Sequence, residues 1–233
     1  MKNLPISPKN PPKNKVMIST IFLGAAITAL ICMTPAYAQS SKTLNIEGFS
    51  AIKAEAGVNV VYKKSNNYDV QTELQSGSDH TVRIKKRGDT LYIARKTEKG
   101  WADGKTRVTV KVSGPELNFI AASSGAKVTA TDLEAQILKI RVDSGGRVLA
   151  AGRCGRLSSQ ADSGGVADLS KVKCDQVAAK AYSGGGLKLY ASESIKTRTD
   201  SGGSIRVFGT PPERDVKPAN GSYGGRTIFE KKD

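Results

Sequence analysis

A Ser-Gly dipeptide recurs along the C-terminal half of this chain at intervals of about 20 residues, and no other feature restricts its fold as strongly. The serines are Ser124, Ser144, Ser163, Ser183, Ser201 and Ser222, with spacings of 20, 19, 20, 18 and 21 residues. The first five are followed directly by Gly125, Gly145, Gly164, Gly184 and Gly202. A strand-helix-strand unit needs about 30 residues, so each repeat must consist of short strands and tight turns.

The residues that flank each turn share its period. Four residues after the serines stand Val128, Val148, Ala167, Leu187 and Ile205, and six residues after them stand Ala130, Ala150, Leu169, Leu189 and Val207. Alternation of this kind is typical of strands whose side chains point inward and outward by turns. The repeat therefore predicts an all-β fold, a parallel β-solenoid with coils of about 20 residues that stack at roughly 4.8 Å.

The composition fits a narrow coil. Aromatic residues make up only 6% of the chain, whereas glycine supplies 24 residues and permits the positive φ angles of tight turns. Asp143, Asp162 and Asp200 directly precede their Ser-Gly pairs, where a carboxylate can accept hydrogen bonds from the turn backbone. We expect these aspartates to cap turns rather than to form a calcium ladder, because Tyr182 interrupts the series.

The N-terminus resembles a targeting segment. Residues 1–38 contain four lysines and no acidic residue, followed by an apolar stretch from Val16 to about Met33 and then Ala36-Tyr37-Ala38. This pattern predicts a secretory signal peptide that is cleaved after Ala38, and the alternative is an uncleaved N-terminal anchor.

Cleavage would leave residues 39–233 with 32 basic and 21 acidic side chains, a net charge of +11, and no further transmembrane segment. We expect an exported protein that is located in the periplasm, at the cell surface or outside the cell. In that compartment a basic surface meets anionic lipids and acidic polysaccharides rather than nucleic acid, and disulfides persist.

The exported chain divides into three parts. Residues 39–121 lack the Ser-Gly period but contain strand-like stretches, and we expect a β-rich cap over the N-terminal end of the solenoid. The repeats occupy residues 122–229, and residues 230–233 form a charged tail.

Two cysteines are spaced with the period of the repeat. Cys154 lies ten residues after Ser144, and Cys174 lies eleven residues after Ser163. Equivalent positions in stacked coils lie about 4.8 Å apart, within the distance that a disulfide spans. The spacing predicts a Cys154–Cys174 disulfide, with two buried reduced thiols as the alternative.

Several outward positions of the repeat carry cations. They are Lys139, Arg141, Lys180, Lys196, Arg198 and Lys217. Stacking would align some of these into a face that binds an anionic ligand such as an envelope glycan or a lipid head group. The alternative is a solvated, mutually repelling face that deters aggregation of a β protein. Trp101, in a glycine-bounded loop, is more simply explained by packing over apolar surface than by ligand contact.

The sequence offers little for catalysis. It has one histidine, His80, and three cysteines, and Ser-Gly-Gly does not fit the G-x-S-x-G frame of a serine nucleophile. These counts exclude a four-cysteine zinc site and weaken any histidine-based triad. We predict no enzyme, no cofactor and no metal site.

The chain resembles a known family of exported bacterial proteins, the autotransporter adhesins with a head GIN domain. The resemblance extends over about residues 46–229 and is carried by Phe49-x-x-Ile52, Gly88-x-x-Leu91-x-Ile93, Pro115-x-Leu117-x-x-Ile120 and the serial Ser-Gly turns from Ser124 onward. It implies a right-handed β-helix-like fold and a location in the cell envelope, and it supplies no catalytic residues.

These observations predict a non-enzymatic envelope protein. The leading hypothesis is an adhesin-like module that binds anionic envelope glycans, lipid head groups or cell-surface proteins. The alternative is a structural protein that assembles end to end, and a glycan-active enzyme would require a groove with two facing carboxylates. The sequence leaves the oligomeric state open.

Overall fold

The computed structural model describes residues 41–76, 82–96, 107–217 and 224–230. The signal segment with its cleavage site at Ala38 lies outside these residues, as do His80, Trp101, Ser222 and residues 231–233. No helix long and apolar enough to cross a membrane is found within the described ranges.

The described residues form β-strands only. The strands are β1 (Ser41–Leu44), β2 (Ala51–Glu55), β3 (Asn59–Lys64), β4 (Asp69–Ser76), β5 (Val82–Arg87), β6 (Thr90–Arg95), β7 (Arg107–Gly114), β8 (Phe119–Ala122), β9 (Lys127–Val142), β10 (Arg147–Ala161), β11 (Val166–Ala181), β12 (Gly186–Thr199), β13 (Ser204–Phe208), β14 (Glu213–Lys217) and β15 (Arg226–Phe229).

The predicted β-solenoid is confirmed. Strands β9, β10, β11 and β12 are each one coil, and each pairs in parallel with the next, giving about five stacked coils of about 20 residues. Along the stack Val128 lies beside Val148, which lies beside Ala167 and then Leu187. Because these side chains point inward at equivalent positions, they form continuous apolar columns that are almost completely buried.

Small and medium side chains fill the interior of the coils, as the composition predicts. One inward column continues from Ile140 through Ser159, Ala179 and Thr197, all buried. The largest buried aromatic rings, Tyr62 and Phe49, lie in the N-terminal part of the stack. The Tyr62 hydroxyl donates a hydrogen bond to the carbonyl of Gly114 at 2.8 Å, and burial raises the pKa of Tyr62 to about 12.

Each Ser-Gly pair forms a tight turn with positive φ at both central residues. The serines have φ between 46° and 50° and the glycines that follow have φ between 72° and 77°. In the second turn the amide of Gly146 donates a hydrogen bond to the carbonyl of Asp143 at 2.8 Å, which closes the turn. The amide of Gly145 donates a hydrogen bond to the carbonyl of Ser163 in the next coil at 3.2 Å. The turns are therefore hydrogen-bonded to one another as well as closed internally.

Ala126 follows the first Ser-Gly pair, whereas in the four turns from Ser144 to Ser201 the next residue is a glycine that lies against the backbone of the preceding coil. A Cβ atom placed on Gly165 would lie 2.6 Å from the carbonyl carbon of Val142, and Gly146, Gly185 and Gly203 are equally close to the backbone of their neighbours. A side chain at this position would push the two coils apart. The third residue of the motif is therefore glycine for steric reasons.

The described residues of the N-terminal part form strands, and their spatial order differs from their order in the chain. Strands β2 and β3 stack in parallel on β8 and β9, and β6 and β7 stack on the other side of β2 and β3. Antiparallel strands then end the stack, with β5 on β6, β4 on β7 and β1 on β4. The parallel coils are thus covered at this end by strands that run the other way.

The two glycines of one turn provide a stability test. We expect Gly165→Ala to lower the free energy of unfolding by about 3 kcal/mol or more, because its Cβ would meet backbone atoms of the preceding coil. In Gly164→Ala the added Cβ atom would meet no atom within 4 Å, so we expect the free energy of unfolding to fall only by the cost of the positive φ angle, about 1–2 kcal/mol. Urea unfolding of both variants checks this, and equal losses would show that coil contact at the turn does not limit stability.

Candidate functional site

Two continuous columns of outward side chains run along one side of the solenoid. The first column, in stacking order, is Lys53, Ala121, Arg141, Gln160, Lys180, Arg198 and Lys217. The second column is Phe119, Lys139, Ser158, Ala178, Lys196 and Asp215. We call these two columns together the basic face. Neighbouring members of a column are about 4.8 Å apart because that is the spacing of paired strands.

The structure brings all six sequence-predicted cations onto the basic face. Lys139 and Arg141 lie on β9, Lys180 lies on β11, Lys196 and Arg198 lie on β12, and Lys217 lies on β14. Strand pairing aligns these positions along the stack. Each of these side chains is exposed. The inward residues that alternate with them, such as Ile140, Val142 and Ile195, are buried and fix the direction of the cations.

Few carboxylates offset these charges. Arg141 has Asp143 at 3.8 Å from its Nε atom, and Asp215 occupies a column position beside Lys196. Within the described part of the chain, no carboxylate oxygen lies within 4.0 Å of the Nζ atoms of Lys139, Lys180, Lys196 and Lys217, or of the guanidinium of Arg198. The basic face therefore carries a positive potential that a diffusing anion would sense.

Sequence reasoning missed the N-terminal end of the basic face. Strand pairing places Tyr92 beside Lys53 and Lys85 beside Tyr92, which lengthens the first column by two positions. The Nζ atom of Lys53 lies 5.2 Å from the ring centre of Tyr92 and 5.8 Å from that of Phe119. The repeated pattern Ile52-Lys53-Ala54, Ile120-Ala121-Ala122 and Ile140-Arg141-Val142 is the signal that could have located Lys53.

The turn aspartates are engaged locally. The Oδ1 atom of Asp162 accepts hydrogen bonds from the amide of Ser163 at 2.7 Å and from its hydroxyl at 3.3 Å, and Asp200 accepts the same bonds from Ser201. These bonds hold each serine in its positive-φ conformation. Among the described residues no three His, Cys, Asp or Glu side chains are grouped so as to hold a metal ion.

The two cysteines are bonded to each other in the structure. Cys154 and Cys174 occupy paired positions in β10 and β11, with their Cα atoms 4.6 Å apart. The bond joins neighbouring positions of two adjacent coils and is almost completely buried.

A polar groove of about 700 Å³ runs beside this disulfide, on a different side of the coil from the basic face. Its lining residues are Pro115, Glu116, Glu134, Ala135, Gln136, Arg153, Cys154, Gly155, Lys173 and Asp175.

Two of the three carboxylates that line this groove, Glu134 and Asp175, already have partners. Glu134 forms ion pairs with Lys64 and Arg153, and the hydrogen bond from Lys64 together with both cations holds the pKa of Glu134 below its usual value. Asp175 accepts a hydrogen bond from the Ser192 hydroxyl at 3.1 Å. An acid catalyst needs a raised pKa, so Glu134 is poorly suited to protonate a glycosidic oxygen.

Comparison with known proteins agrees with the β-solenoid fold. The family described as "Putative auto-transporter adhesin, head GIN domain" matches residues 48–211. The crystal structure of a "putative adhesin" from Bacteroides fragilis has a TM-score of 0.59 at 18% identity and covers 84% of this chain and 96% of that chain. A "putative adhesin" from Parabacteroides merdae has a TM-score of 0.50 at 18% identity, with 83% and 96% covered. At such identities the likeness shows a shared fold, and no curated protein sequence matches the chain.

The disulfide allows a direct test of its contribution. A bond that closes a loop with a sequence separation of 20 is expected to contribute about 3 kcal/mol, mainly by restricting the unfolded chain. We expect Cys154→Ala/Cys174→Ala to unfold at a correspondingly lower urea concentration than the oxidised wild type. Dithiothreitol should destabilise the wild type and leave the double variant unchanged; a wild type insensitive to reduction would contradict the role of this bond.

Proposed function

The chain belongs to the family described as "Putative auto-transporter adhesin, head GIN domain", and on that premise we propose that it is an exported, non-enzymatic binding module of the cell envelope. In this proposal the basic face binds an anionic ligand of the envelope. The observation that carries the proposal is the strand register, which places cations from distant parts of the sequence in two adjacent exposed columns.

Repulsion between the aligned cations supports a binding role for the basic face. Lys180, Arg198 and Lys217 follow one another in a single column at the spacing of paired strands, so like charges repel one another at close range. A face needed only for solubility would be served as well by mixed charges, which avoid this repulsion. An anionic ligand that lies over the column would relieve it.

End-to-end assembly is a second candidate, because the C-terminal end of the stack presents the edge strand β14. Val216 on this strand is exposed by 41% although it continues an inward column. Its neighbours Glu213, Arg214 and Lys217 carry charges, which oppose pairing with another strand. Light scattering across a range of protein concentrations distinguishes the two: growth in mass with concentration supports assembly, and a constant monomer mass counts against it.

The binding function is tested with purified residues 39–233 against lipopolysaccharide, phosphatidylglycerol vesicles and sodium polygalacturonate. We expect binding to at least one of these anions at low salt and its loss at high salt, because exposed charges are screened within a Debye length. We expect Lys180→Glu/Arg198→Glu to weaken that binding by at least about tenfold, since each basic side chain near an anionic surface contributes about 1 kcal/mol.

The matched control is Lys127→Glu/Arg147→Glu. These two exposed cations are also neighbours in strand register, but they lie on another side of the coil. The control changes the net charge by the same amount and should retain most of the affinity. Equal losses in the two variants would mean that total charge rather than the basic face determines binding, and the proposal would fail.

A further inference from the structure

We propose that the ligand of the basic face is a linear acidic polysaccharide that lies along the solenoid axis, with one of its sugar rings packed on Tyr92 and Phe119. This inference rests on the proposed function and narrows its ligand from anions in general to one chemical class. It depends on three properties of the face: its continuous line of cations, the uncharged and mostly small residues between them, and its aromatic end.

The cations form a line rather than a cluster. The first column, with its two N-terminal positions added, runs from Lys85 on β5 to Lys217 on β14 through nine paired strands. At about 4.8 Å per strand this is a length of roughly 38 Å. Six of the nine positions are cationic: Lys85, Lys53, Arg141, Lys180, Arg198 and Lys217. A single phosphate or lipid head group would contact only one or two of them, whereas an extended polyanion can contact all of them.

The positions between the cations carry uncharged and mostly small side chains. Ala121 and Gln160 interrupt the first column, and Ser158 and Ala178 interrupt the second. The short side chains of Ala121, Ser158 and Ala178 leave no ridge at three of these four positions that would lift a polymer away from its neighbouring cations. Ser158 and Gln160 also offer hydrogen-bond donors and acceptors at the point where charge is absent, which suits the hydroxyl groups of a sugar.

The N-terminal end of the face is aromatic. Tyr92 and Phe119 occupy outward positions and are partly exposed, while their inward neighbours Leu91 and Ile120 are fully buried. Lys53 lies over both rings, and the Cζ atom of Arg87 lies 5.7 Å from the ring centre of Tyr92. A sugar ring has an apolar C–H face that can pack on an aromatic ring while its carboxylate meets Lys53. Polyphosphate and lipid phosphates lack such a face.

Ligand length provides the first experiment. Residues 39–233 are titrated with purified oligogalacturonates of increasing length and, separately, with free galacturonate. We expect affinity to rise steeply with length until the oligomer reaches from Lys53 to Lys217, because each further bound carboxylate is held at high effective concentration by those already in place. Equal affinity per carboxylate for free galacturonate and long oligomers would overturn the proposal.

The aromatic end provides the second experiment. We expect Tyr92→Leu/Phe119→Leu to weaken polygalacturonate binding about tenfold and to leave the binding of inorganic polyphosphate unchanged. Leucine keeps apolar bulk at both positions, and the single variant Tyr92→Leu is used if circular dichroism shows that the double variant is unfolded. The control is Tyr190→Leu, which removes a ring under Lys173, with Nζ 3.7 Å from the ring centre, away from the basic face. It should bind polygalacturonate as the wild type does.

The outcomes separate this inference from the proposed function. If Tyr92→Leu/Phe119→Leu loses affinity for polyphosphate and polygalacturonate equally, or for neither, the polysaccharide assignment is refuted. The proposal that the basic face binds anions would still stand. Preference for phosphatidylglycerol vesicles over long polygalacturonate would refute it in the same way. No salt-sensitive binding to any polyanion would refute both proposals together.

Discussion

Successive coils of this protein meet backbone to backbone at the four turns from Ser144 to Ser201, and the rest of the structure depends on this contact. At Gly146, Gly165, Gly185 and Gly203 a single added carbon would enter the main chain of the preceding coil. The hydrogen bond from the amide of Gly145 to the carbonyl of Ser163, and its equivalents in later turns, then ties each turn to the next. Because each turn is bonded to the next, the strand segments that flank the turns pair at equivalent positions from coil to coil, and the register shifts, such as that between Leu149 and Ala151, lie farther along the coil.

Fixed register has opposite consequences inside and outside the coil. Inside, columns such as Val128, Val148, Ala167 and Leu187 exclude water and supply the apolar burial that stabilises the fold. Outside, the same register places Lys180, Arg198 and Lys217 in line, which costs stability through repulsion. Sites where a chain accepts such a local cost are commonly functional, since the rest of the molecule compensates for it. The repulsion along the basic face therefore supports the binding role proposed for it.

The sequence predicted those parts of the molecule that repeat. The period located the turns, the inward columns, the pairing of Cys154 with Cys174 in register and the six cations, because each depends only on spacing from a serine. It could not predict the N-terminal stack, in which β6 lies outside β2 although it follows β2 in the chain. Lys53, Tyr92 and Phe119 come together only through that rearrangement, so residue spacing alone carries no signal for their contact. The groove beside the disulfide was also missed, because it arises from the path of the coil and not from a motif.

The position of the disulfide connects the stability of the stack to the basic face. It joins β10 and β11, the two coils that carry Gln160 and Lys180, so it lies between the cations of β9 and those of β12. Coils of a solenoid are stabilised mainly by their nearest neighbours, so a stack can open locally at its weakest interface. Charge repulsion along the outward columns acts to separate coils, and a covalent bond near the middle of the stack opposes that separation. A straight binding face is useful to a long ligand only if the coils stay in register along its length, and the cross-link maintains that register between the two charged segments.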